Sequence, residues 1–147
     1  MIPEFRDDGT LPLGIHWTEW AEIERRLVFN PLRQRLLDGF KQGVELLRVA
    51  GCRRVYIDGS FVTAKEFPND FDACWDLDGV DPAHLDPVFL DFSQGRAAQK
   101  ARFSGEFFPA QIPEGISGRT FLDFFQINKE TGKKKGIVAI DLERWPQ

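Results

Sequence analysis

Two short apolar runs at a fixed separation constrain this chain most. The first, Val55-Tyr56-Ile57-Asp58, is strand-like and is closed by Gly59-Ser60. After nine further residues comes Asp70-Phe71-Asp72-Ala73-Cys74-Trp75. That second run alternates, as a strand with one face on a core does. Phe71, Ala73 and Trp75 are expected inside, with Asp70, Asp72 and Cys74 on the other face. Strand residues two apart point to the same side. Asp70 and Asp72 therefore converge where a hard cation such as Mg²⁺ can bridge them. Gly59 permits close approach of backbone to a phosphate, and Ser60 supplies a hydroxyl for phosphate oxygens. A carboxylate pair, a cation and a phosphate cradle together read as nucleotidyl transfer.

The arrangement resembles the DNA polymerase β-type nucleotidyltransferase superfamily, in particular its small bacterial members, the minimal nucleotidyltransferases. Their motif is a hydrophobic strand, Gly-Ser or Gly-Gly, a spacer, then Asp-hydrophobic-Asp. The residues that carry the likeness are Val55–Ser60 and Asn69–Asp72. The resemblance implies an α+β fold with a small mixed sheet flanked by helices. It also implies transfer of a nucleoside monophosphate from an NTP, with Mg²⁺ held by Asp70 and Asp72. Gly59 and Ser60 would cradle the β/γ-phosphates. A two-ion site, with ions about 3.5–4 Å apart, stabilises both the attacking and the leaving oxygen. Such a site needs a third carboxylate, which the resemblance puts on a later strand. Glu106 is preferred, because it follows a basic helix and opens an apolar strand; a Glu there departs from the family's usual Asp. Asp123 and Asp141 are the competitors. A carboxylate, Glu106 or Asp123, would take the acceptor proton.

By resemblance, the setting is a bacterial toxin–antitoxin or defence system. The acceptor would be a tRNA 3′ end or a protein hydroxyl, with a cognate toxin or antitoxin as partner. The alternative from a different class is a catalytically inactive nucleotidyltransferase fold used as a binding module, an antitoxin or regulatory subunit. A purely structural phenylalanine-rich interaction protein is disfavoured by the intact motif spacing.

Several basic residues are candidate phosphate ligands. Lys65 can reach a triphosphate from the linking turn. Lys100 and Arg96 lie one helical turn apart and so share a face, suited to β/γ-phosphates or RNA. Lys133-Lys134-Lys135 reads as a charged hairpin tip. Asp58 reads as a turn-stabilising acid rather than a metal ligand. The acidic run from Asp70 to Asp81 fails as an EF-hand. A loop starting at Asp70 puts Trp75 where Gly is needed, and one starting at Asp76 lacks the final Glu.

The 147 residues fit one domain. It divides into an N-terminal helical part at about 15–50 and a catalytic sheet at about 54–142. A net charge of −4 does not suggest a general grip on nucleic acid. Fourteen Phe against one Met point to an aromatic core or an apolar partner surface. Cys52 and Cys74 form no metal or redox motif and read as reduced thiols of a cytoplasmic protein. The N-terminus lacks a basic-then-apolar signal. No apolar stretch approaches the roughly 18 residues needed to span a bilayer. His16 and His84 have no second nitrogen ligand nearby and read as structural.

Along the chain, residues 1–14 are expected to be extended. A helix from Thr18 as N-cap to about Phe29 comes next. Asn30-Pro31 opens a second helix that stops at Gly51. Asp81-Pro82 is expected to open a short helix, and Val88–Phe92 is ambiguous. Gln94–Phe103 reads as a basic helix and Glu106–Ala110 as a strand. Thr120–Ile127 fits a helix slightly better than a strand, and Ile137–Leu142 reads as the last strand.

Overall fold

Short segments from both ends of the chain meet in one five-stranded mixed sheet. The computed structural model describes residues 1–128 and 131–144. Its strands are β1 (Ile15–Thr18), β2 (Arg54–Asp58), β3 (Phe71–Trp75), β4 (Gly105–Pro109) and β5 (Ile137–Asp141). Their order across the sheet is β1-β5-β2-β3-β4. β2 runs antiparallel to both β3 and β5, whereas β1–β5 and β3–β4 are parallel pairs. The helices are α1 (Trp20–Leu27), α2 (Pro31–Val49), α3 (Ser93–Phe103) and α4 (Phe121–Phe124). The molecule is therefore α+β, with α1 and α2 preceding most of the sheet.

One face of the sheet holds the main core. Val55, Ile57, Phe71, Ala73, Trp75, Phe107, Val138 and Ile140 lie there beneath Ile23, Leu27, Leu36, Phe40, Val44 and Leu47 from the two N-terminal helices. The alternation in β3 thus places its residues as expected. The phenylalanines form a contiguous ring cluster: Phe107 lies 5.9 Å from Phe40, 5.4 Å from Phe71, 5.4 Å from Phe89 and 5.3 Å from Phe103. Edge and stacked contacts of this kind add to simple burial. The Phe107 ring fits because α2 carries glycine at position 43. A Cβ there would lie 2.3 Å from the ring's Cζ, which outweighs the roughly 0.5–1 kcal/mol that a helical glycine costs. The opposite face carries a smaller cluster of Tyr56, Cys74, Phe108, Ala110, Phe125, Ile137 and Ala139.

Several local expectations need correction. Thr18 belongs to β1 and does not cap α1; Glu19 stands at the cap position and makes no side-chain cap bond. The β1 strand is too short and too mixed in polarity to show as a period-two pattern. Asp81-Pro82 opens only a turn. The same Asp-Pro chemistry acts one pair later, where Asp86 Oδ1 accepts from Val88 N at 3.0 Å and starts a 3-10 turn over Pro87–Leu90. Asn30 does cap α2, accepting from Arg33 N at 2.9 Å, with Pro31 in the first turn. In α3, Gln94, Gly95 and Arg96 adopt left-handed angles, so Arg96 and Lys100 do not share a regular helical face. Just before the expected hairpin tip of Lys133–Lys135, Lys129 and Glu130 lie outside the described residues. Among the described residues, no helix is long and apolar enough to cross a membrane.

Candidate functional site

The antiparallel register of β2 and β3 decides what the motif residues can do. Asp58 is the direct partner of Asp72, and the parallel β3–β4 register sets Glu106 beside Asp72 on its other side. Directly paired residues point to the same face of a sheet. Asp58, Asp72 and Glu106 therefore form one row across three strands, on the face away from the main core.

At the end of β2 the chain turns sharply. Gly59 has φ +78°, a left-handed angle, and starts a 3-10 turn over Gly59–Val62. A Cβ at Gly59 would stand 3.0 Å from Asp72 Oδ2 and 3.3 Å from the Asp72 nitrogen. The close approach that requires this glycine is thus made first to the β3 carboxylate.

The turn is held from behind by Arg33, which is fully buried. Its guanidinium donates to the carbonyls of Leu27 (2.9 Å), Ser60 (3.3 Å), Phe61 (2.7 Å), Thr63 (2.7 Å) and Lys65 (2.6 Å). It also packs over the Phe29 and Phe61 rings. Burial lowers its pKa to about 10, which leaves it charged at neutral pH. Asn30 Nδ2 donates to Glu66 O at 2.6 Å, so Asn30 and Arg33 together hold the chain from Ser60 to Glu66. The sequence reading saw Asn30 as a cap and missed Arg33, whose surroundings come from a segment about thirty residues away along the chain.

In front of this turn opens a cleft of about 280 Å³ lined by Asp58, Gly59, Ser60, Thr63, Asp70 and Asp72. Thr10, Phe124, Phe125, Ile127, Asn128 and Lys135 complete its wall. Four of the expected site residues, Gly59, Ser60, Asp70 and Asp72, are thereby brought together. Lys65, Lys100 and Glu106 are not among its lining residues. Glu106 is buried and faces the α3 cations: it accepts a short hydrogen bond from Arg96 Nε and lies 3.3 Å from Lys100 Nζ. Lys65 is exposed and offers its backbone carbonyl to Arg33.

The other acid candidates lie elsewhere. Asp141 pairs with Arg54 at the far end of β2, four residues from Asp58, or about 13 Å along the strand. It lines a larger cavity, of about 550 Å³, with Trp17, Glu19, Glu22, Arg25 and Arg144. That cavity contains no motif residue, so its size does not make it the better candidate. Asp123 sits in α4 beside Arg119, Gln126 and Lys134, outside the motif cleft. His16 Nε2 is 2.7 Å from Pro12 O and His84 Nδ1 is 3.0 Å from Asp81, contacts that suit the structural roles expected of both.

Asp58 is the acid that sequence reasoning undervalued. It is 2% exposed, and neither carboxylate oxygen has a hydrogen bond of good geometry among the described residues. Lys135 Nζ stands 3.4 Å from Oδ1. Burial pushes the Asp58 pKa up to about 7; Lys135 works against the rise and Asp72 adds to it. A polar residue directly before Gly-Ser was the available signal, but its burial depends on the hairpin that carries Lys135.

The donor set suits a hard cation: Asp70 and Asp72 offer oxygen ligands on one wall. Among the described residues, no three His, Cys, Asp or Glu side chains are already clustered as a metal site. Cys52 and Cys74 are free and buried, and burial raises both thiol pKa values, that of Cys52 to about 11.

Residues 3–141 match DUF6932, a family of unknown function, and the chain belongs to that family. No curated protein and no solved structure matches the chain.

Proposed function

We propose that this protein is a Mg²⁺-dependent nucleotidyltransferase of the DNA polymerase β type, moving a nucleoside monophosphate from an NTP to a hydroxyl acceptor. The observation that carries the reading is the shared cleft: Gly59, Ser60, Asp70 and Asp72, from two ends of a long link, line one wall. An antiparallel β2–β3 pair bearing Gly-Ser and Asp-x-Asp, extended by the parallel β4, supports a nucleotidyltransferase-like sheet. The cleft's volume is near the low end of the roughly 300–1,000 Å³ of small-molecule sites. It suits a triphosphate in the cleft, with sugar and base over its open mouth.

In this reading Asp70 and Asp72 would hold Mg²⁺, and Glu106, next in the row and now paired with Arg96 and Lys100, would be the third acid. Mg²⁺ held by these residues would supply charge neutralisation at the phosphate oxygens, which favours departure of pyrophosphate. Ser60 donates its hydroxyl proton to a phosphate oxygen. The acceptor oxygen bonds to the α-phosphorus, the bond to the bridging oxygen of the β-phosphate breaks, and the acceptor's proton passes to a carboxylate of the row. The acceptor is a tRNA 3′ end or a protein hydroxyl, in a toxin–antitoxin or defence setting with a cognate partner.

A second reading has a specific observation behind it. Glu106 is engaged by Arg96 and Lys100, which favours a nucleotidyltransferase-fold binding module without activity. Incubation with each labelled NTP, Mg²⁺ and cell lysate separates the two. Labelled RNA or protein, absent with Asp70→Asn/Asp72→Asn, is the expected result. Nucleotide binding without transfer would establish the binding module.

A further inference from the structure

The expectation that Lys65 or Lys100 meets the phosphates leaves the cleft short of positive charge, because neither side chain lines it. Lys135 does. We propose that Lys135 is the phosphate-binding cation of this cleft, positioned by the buried Asp58 carboxylate, and that it takes the terminal phosphates of a nucleoside triphosphate. The inference rests on the proposed function and adds to it a residue and a ligand group.

Lys135 has a fixed root, and its tip reaches Asp58. Its amide donates to Gln126 O at 2.8 Å, and the next amide, of Gly136, donates to Leu11 O at 3.1 Å. The side chain is 16% exposed, and its Nζ lies 3.4 Å from Asp58 Oδ1. Charge-assisted N–H···O bonds settle at about 2.7–2.9 Å. The ammonium is therefore drawn to Asp58 without closing a short hydrogen bond on it. An ammonium has three donors, so contact with one carboxylate leaves capacity for phosphate oxygens. Its neighbours Lys133 and Lys134 are exposed and do not line the cleft.

A stabilising role alone accounts poorly for the pair. A buried ion pair loses in desolvation much of what it gains in attraction, and apolar replacements often serve as well. Both residues line the cleft, and Asp58 is in register with Asp72. Three acids, Asp58, Asp70 and Asp72, share that wall. A polyanionic ligand needs fixed positive charge there, and a lysine on a flexible stem provides it as a point charge.

The test is acetylation of the wild-type chain with acetic anhydride, read by mass spectrometry with and without saturating ATP and Mg²⁺, alongside calorimetry with ATP, AMP and adenosine. ATP should slow labelling of Lys135 severalfold and leave Lys65 and Lys133 unchanged. Lys135→Gln should weaken ATP about tenfold or more, the loss of a charged hydrogen bond, with little change for adenosine, and Lys135→Arg should retain most of the affinity. Equal labelling of Lys135 with and without bound ATP overturns the assignment while the nucleotide reading stands. It is also overturned if a folded Lys135→Gln binds ATP like the wild type. If the wild-type chain binds no nucleotide at all, the reading beneath it falls as well. Should Lys135→Gln not fold, the labelling and Lys135→Arg decide.

Discussion

Asp58 and Asp72 face each other across the β2–β3 pair and both line the cleft, Asp58 buried and Asp72 half-buried. The buried member makes stability depend on pH. Its folded pKa is about 7 against an ordinary 3.8, so the native state holds the proton more tightly than the unfolded chain. Stability from this group is complete below about pH 4 and is lost as pH rises through about 7. At about 1.4 kcal/mol per unit, the loss reaches at most about 4 kcal/mol. Asp58→Asn removes it. Urea unfolding of both proteins from pH 4.5 to 8 should show the variant gaining on the wild type as pH rises. A constant difference across that range would assign the pH dependence elsewhere.

Gly59→Ala should damage both the turn and the acid beside it. A left-handed angle costs a non-glycine residue about 1–2 kcal/mol, and the new Cβ would press on Asp72 at 3.0 Å. We expect destabilisation of about 2 kcal/mol and loss of Mg²⁺-supported NTP binding. Thermal unfolding and calorimetry check this; wild-type affinity in the variant would show that Asp72 is not held by the glycine.

The β2 and β3 strands, the capped α2 and the Gly59/Ser60/Asp70/Asp72 grouping were legible because each depends on local pattern: alternation, an Asn-Pro start, a Gly-Ser stop. What escaped depends on pairing between distant segments. β1 is a four-residue edge strand defined by its partner β5. Asp58 and Lys135 are seventy-seven positions apart, and nothing near either one signals that they meet. Spacing suggests Lys100 for phosphate and Glu106 for metal; the fold joins them to each other. A spacing rule places residues on a face and leaves open which opposite charge reaches them first.

Arg33→Met should be among the most damaging substitutions in the chain. It leaves five carbonyls without their common donor, and each buried unsatisfied group costs about 1–3 kcal/mol. With relaxation, a loss of about 3–5 kcal/mol is expected. Lys at this position lacks the planar fork and should recover only part. Hydrogen exchange should show residues 59–66 losing protection first. Denaturation within 1 kcal/mol of wild type, taken with unchanged exchange, would remove Arg33 as the anchor of this turn.

The role of Glu106 separates the transferase reading from the binding-module reading. It stands next to Asp72 in the sheet, yet its carboxylate faces Arg96 and Lys100. If it is the third acid, bound cation must draw it across the row, and the ion pairs on α3 reduce what it contributes. Asp72→Asn should then lower Mn²⁺ affinity by about tenfold or more, about 1.4 kcal/mol. Glu106→Gln should lower it by a smaller but measurable factor. Titration of Mn²⁺ by electron paramagnetic resonance reads both directly, without need of a substrate. Identical Mn²⁺ binding by wild type and Glu106→Gln would confine Glu106 to anchoring α3. If Asp72→Asn also bound Mn²⁺ normally, the cleft would not be a metal site, and a binding role for this sheet would replace catalysis.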